Sequence, residues 1–161
     1  MSSFKELINR LQSVIKKNDW PPLELNPGVS VEEIEAAEKT IGLKFPEELK
    51  EYFLTFNGED FSKYEGLEYG GFPWLPDVAG LSSLKDIVEA WKEEQEWMED
   101  NEFEGFEYYC NEKIRWEYWH DHRIPIAFGA FSDGDIVYVD LTPGPKGTSG
   151  QIILRPHGMA H

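Results

Sequence analysis

Cysteine is nearly absent: Cys110 stands alone in 161 residues. No internal disulfide and no paired-thiol zinc site can form from it, which fits a reducing compartment, and Cys110 reads as a packing residue rather than a nucleophile. Bases are scarce as well. Against 15 Lys and Arg stand 31 Asp and Glu, a formal charge of −16. Such a surplus repels nucleic acid and anionic membrane at long range, so a macromolecular partner is expected to be a basic protein; the same carboxylates also serve solubility. Also missing is any apolar run of the length a membrane span requires, and the opening MSSFKELINR is amphipathic rather than leader-like. A cytoplasmic protein outside the membrane is expected. What is present, 40% apolar and 14% aromatic residues, suffices for the core of a single domain spanning residues 1–161.

Hydrophobic periodicity divides the chain into helices first and strands afterwards. Ser3 and Glu6 have capping-box spacing, and Phe4, Leu7, Ile8, Leu11 and Ile15 then recur at helical intervals, predicting a helix to about Lys17. Trp20-Pro21-Pro22 interrupts it, and an extended linker should follow to Gly28. Ser30 and Glu33 repeat the capping box ahead of Ile34, Ala37 and Ile41, with Gly42 placed to end the helix. Pro46 starts a third helix, with Leu49, Phe53 and Phe56 inward and Asn57-Gly58 as its stop. Gly71 to Pro76 suggests an edge strand or ordered loop. Ser83 and Asp86 cap a fourth helix whose Leu84, Ile87, Val88, Trp91 and Met98 share a face. Period-two runs then appear at Ile124–Phe128, Ile136–Leu141 and Gln151–Leu154. This order predicts an α+β fold, with N-terminal helices packed against a mainly antiparallel central sheet.

Three motifs invite chemistry and are better explained by local structure. Ser132-Asp133-Gly134-Asp135 joins two strands, and Asp-Gly suits a tight hairpin; a calcium loop would need a closing glutamate where Gly144 stands. Gly144 to Gly150 resembles a phosphate loop in composition, but such a loop must lead into a helix, and QIIL is a strand-type run, so a flexible connection between two strands is expected. His120 and His122 have strand spacing for metal ligation. The remaining histidines, His157 and His161, sit in a Pro- and Gly-containing tail, and no HExxH or cysteine pair supports them, so an exposed turn is the simpler reading. No catalytic residue, cofactor or metal site is assigned.

One constellation remains. Between Glu89 and Glu107 lie nine acids and the single base Lys92, interleaved with Trp, Phe and Tyr. Dense negative charge steers a basic partner, and exposed aromatics supply the desolvated anchors that carry interface energy. Glu93, Glu94, Glu96, Trp97, Glu99, Asp100, Glu102 and Glu104 are the candidate contact residues. The competing reading is a solvated helix face whose aromatics, Trp91 and Phe103 among them, point into the core.

The segments Val31–Glu38, Ile41–Phe53 and Phe56-Asn57-Gly58 have a recognisable order and spacing with later ones: Trp119, Ile124-Pro125-Ile126, Gly134-Asp135, Val139–Gly144 and Gly147–Ile153. With these residues the chain resembles the SUKH superfamily, which includes a fungal cell-wall-synthesis regulator and many bacterial immunity proteins. The resemblance implies an α+β fold without catalytic activity. For a bacterial member it implies an immunity protein that binds and blocks a toxin, often a nuclease whose cleft is basic. A regulatory scaffold with a housekeeping partner is the alternative, and a metal protein using His120 and His122 a more distant one. Members usually continue past the Gln-Ile-Ile strand into a last helix, whereas here Gly158-Met159-Ala160-His161 follows.

Overall fold

Ser3, Ser30 and Ser83 each open a helix by the same reciprocal device. In the computed structural model, which describes residues 3–64, 80–99, 111–115, 123–128 and 136–155, Ser3 Oγ accepts the Glu6 amide and the Glu6 carboxylate accepts the Ser3 amide. Ser30 with Glu33, and Ser83 with Asp86, repeat it. Each cap satisfies amides that the first helical turn leaves without partners, a contribution of about 1 kcal/mol. The helices are α1 (Phe4–Lys17), α2 (Val31–Ile41), α3 (Glu47–Thr55) and α4 (Leu84–Glu99). Gly42 ends α2 in the left-handed region, φ 79°, where a side chain would be strained.

The predicted linker holds a short strand that the sequence pattern did not reveal. Strand β1 (Leu25–Pro27) pairs antiparallel with β2 (Phe56–Glu59), which continues directly from α3, so Phe56, expected on the helix, and Asn57-Gly58, expected as its stop, belong to a strand instead. Three and four residues are too few to show a period, and Pro27 is tolerated because the pair is an edge ribbon. The Asn26 side chain donates to the carbonyls of Asn57 and Glu59, fastening the ribbon. Gly58, φ 74°, lies so close to the chain entering α4 that an added Cβ would stand 2.6 Å from the Ser82 carbonyl carbon.

The main sheet is antiparallel, with β3 (Arg123–Phe128), β4 (Ile136–Asp140) and β5 (Gln151–Arg155) in that order. Its helix-facing side contributes Ile124 and Val139 to the main core, joined by Ile34, Ala37 and Ile41 of α2, Leu49, Tyr52 and Phe53 of α3, and Leu84 and Ile87 of α4. Alternate positions Ile136, Tyr138 and Ile153 form a separate cluster with Ile114, as the period of two dictates. The fold is α+β, helices against an antiparallel sheet.

Beneath the sheet end sits a buried ion pair, Arg123 Nε to Asp140 Oδ1 at 3.5 Å. Asp140 also accepts the Thr142 amide and the Gln151 side-chain amide, and Arg123 donates to the Arg115 carbonyl. The glycine-rich connection from β4 to β5 is fastened rather than loose. Its Gly144 and Lys146 amides donate to the Lys113 and Glu112 carbonyls, and the Gly150 amide donates to the Asp140 carbonyl. It runs into β5, not a helix, so its amides are not arranged to hold a phosphate. Gly71–Pro76, Cys110, the Ser132–Asp135 turn and all four histidines lie outside the described residues.

Candidate protein-interaction surface

Helix α4 places its apolar stripe first. Leu84, Ile87 and Ala90 are buried, and Val88 and Trp91 pack partly buried against the main core. This rules out Trp91 as an exposed anchor: it belongs to the core, with its indole Nε1 buried and lacking an acceptor. The outward positions carry Asp86, Glu89, Glu93 and Glu96 against Lys85 and Lys92. Lys85 pairs with Glu89 at 3.6 Å, an exposed i,i+4 contact of a few tenths of a kcal/mol at most.

Of the candidate contact residues, Glu93 and Glu96 are exposed, whereas Glu94 is half-buried and accepts a hydrogen bond from the hydroxyl of Tyr138. The spacing explains the difference. Ile87, Trp91 and Glu94 follow one another at i, i+4 and i+7, so Glu94 continues the inward stripe and meets the sheet rather than solvent. Trp97 and Glu99 fall in the last turn of α4; Asp100, Glu102 and Glu104 lie outside the described residues.

Among the described residues three further acids, none singled out by sequence reasoning, are buried: Glu38, Glu59 and Asp140. Glu38 interrupts the apolar stripe of α2 between Ile34 and Ile41, which is the one signal that pointed inward. Its carboxylate accepts the Phe45 amide at 2.8 Å and the Lys44 ammonium at 2.6 Å, with Lys50 at 3.4 Å. Burial pushes this carboxyl upward, but those hydrogen bonds and charges outweigh it and hold the group below its ordinary value. Glu38 closes the turn between α2 and α3.

Glu59 is different. One carboxylate oxygen accepts the Leu81 amide at 3.3 Å, and the other is buried without a partner. Burial pushes it up to about 7, only partly offset by that amide. Nearby, the Tyr52 hydroxyl accepts the Gly58 amide at 3.1 Å, and burial, with the Glu59 charge adding, raises the phenol as well. Among the described residues no group of three His, Cys, Asp or Glu side chains could hold a metal ion.

On the other flank, an apolar groove of about 420 Å³ opens between α1, α3 and the sheet, with Phe4, Ile8, Leu49, Tyr52, Val139 and Ile152 among its walls. Glu59 does not line it. The groove ends at β5, where Ile152 and Leu154 are 60% and 51% exposed.

Comparison with known families decides the lineage: residues 28–160 match the SMI1 / KNR4 family (SUKH-1). The chain belongs to this family. The match takes in α2, α3, β2, α4 and the whole three-stranded sheet, and it starts beyond α1 and β1. No curated protein matches the SUKH-1 chain. Membership supports a role in protein interaction or immunity at the level of the family, a family that is generally non-catalytic. No helix among the described residues is long and apolar enough to cross a membrane.

Proposed function

We propose that this SUKH-1 chain is a non-enzymatic binding protein that engages a basic protein through the outward face of α4, in the manner of an immunity protein that blocks a toxin such as a nuclease. The observation that carries this reading is the division of labour along α4. Leu84, Ile87 and Ala90 are locked into the core while Glu93 and Glu96 point to solvent. A face held on a packed helix presents its charge without first having to be ordered, so little binding energy is lost to conformational entropy. A net charge of −16 adds long-range attraction for a positively charged cleft, which acts chiefly on the association rate.

The test is kinetic. A partner recovered by pull-down from the source cell should associate with the purified chain at a rate that falls steeply from low to physiological salt, since the screening length is then only about 8–10 Å. Glu93→Lys combined with Glu96→Lys should slow association by roughly tenfold with little change in dissociation. A rate indifferent to both salt and these substitutions sinks the assignment of the face. Turnover of a small molecule by the purified chain, abolished by one side-chain replacement, sinks the non-enzymatic reading.

A further inference from the structure

The acids of this chain are unevenly spread. From Leu141 to His161 there is no Asp or Glu, the longest such stretch in the sequence, and it carries Lys146 and Arg155. Strand β5 lies within it. Among the described residues β5 pairs with β4 alone, so one edge of the strand has no ladder partner there. On the helix-facing side of that edge, Ile152 is the most exposed large apolar residue among those described, and Leu154 is exposed to nearly the same degree as the next, Val31. Unpaired strand edges flanked by exposed β-branched and aliphatic side chains are templates for another strand.

From this edge we propose a second interaction surface, through which two copies of the chain pair β5 against β5 and extend the three-stranded sheet into a continuous six-stranded one. Charge selects the occupant. Two chains that each carry −16 repel wherever their acids meet; β5 itself carries none, and the acid lying against its preceding loop, Glu112, is paired with Lys146. The strand is also self-complementary. Antiparallel pairing about a two-fold axis at Ile153 sets Ile152 opposite Leu154 of the second copy, on the same face, and Gln151 opposite its Arg155. Each apolar side chain then covers the other, and the two arginines are not brought into register. The residue after β5 in the sequence is Pro156, which has no N–H to donate to a longer ladder. Such a short contact is smaller than a permanent interface, so the dimer should be weak and concentration-dependent.

Salt distinguishes this pairing from the proposed α4 contact, because the signs are opposite. Screening weakens attraction to a basic partner but relieves repulsion between two acidic copies. Sedimentation equilibrium of the full chain should show a dimer whose dissociation constant falls at least roughly threefold between 50 and 500 mM sodium chloride. Ile152→Lys or Leu154→Lys should weaken it by roughly tenfold or more, with the circular dichroism spectrum unchanged, since both side chains are already exposed. Register is read by cross-linking. In a Cys110→Ser background, a mixture of Ile152→Cys and Leu154→Cys chains should oxidise to a mixed disulfide that neither variant forms with itself. A chain that stays monomeric across this salt range overturns the proposal. So does a dimer untouched by either lysine, or one in which each single-cysteine variant cross-links to itself as readily as the mixture does.

Discussion

The hydroxyl of Tyr138 donates a hydrogen bond to the carboxylate of Glu94, tying the middle strand of the sheet to the acidic helix. Tyr138 is buried and Glu94 half-buried, so one end of the bond is sealed and the other wet. Tyr138→Phe removes the donor and should lower stability by about 1–2 kcal/mol, because the carboxylate retains water on its open side. Glu94→Gln keeps an acceptor and should cost less. Urea denaturation with an unchanged slope checks both, and association kinetics should separate Glu94→Gln, with little effect on salt dependence, from Glu93→Gln.

Glu59 predicts a stability that declines from mildly acidic to neutral pH. Its folded-state value of about 7 lies above the ordinary 4.5, so between these values the folded state holds a proton that the unfolded chain has released. Stability therefore falls as pH rises through that window, by about 3 kcal/mol when complete. Glu59→Gln removes the titration and should be close to neutral at pH 4, while stabilising by roughly 2–3 kcal/mol at pH 8. Thermal melting of both proteins across pH 4 to 8 is the measurement, and parallel curves would contradict it.

Glu38 predicts the reverse sign. Its carboxylate is held below the ordinary 4.5, so it contributes stability above that value, which is lost as pH falls through the lowered folded value. Glu38→Gln should cost about 1–2 kcal/mol near pH 7, limited because Lys44 is largely exposed, and the cost should shrink in acid. Comparing denaturation midpoints at pH 7 and pH 3 tests it.

Much of the fold was legible in one dimension because its signals are local. The serines with an acid three residues on, Gly42, Pro46 and the apolar spacings each act within one or two turns, and among the described residues they located where α1, α2, α3 and α4 begin. The three sheet strands were legible for the same reason. The β1–β2 ribbon was not. Its stability comes from Asn26 reaching Asn57 and Glu59, more than thirty residues away, and no short period announces such a contact. Of the candidate contact residues, Glu93 and Glu96 are outward as expected, and Glu94 is not.

By itself the sequence determined the fold class, the helix starts, the family resemblance and the net charge, since capping, periodicity and summed charge depend only on neighbours in the chain or on totals. Tertiary structure alone decided which carboxylates are chemical individuals. Among 31 acids, Glu38 became a charged turn clasp, Glu59 a buried proton holder and Asp140 the partner of Arg123, while Glu93 and Glu96 remained solvated. Composition treats all of these as one negative field. Burial and the donors within reach of each oxygen separate them, and both depend on which distant segments fold against one another.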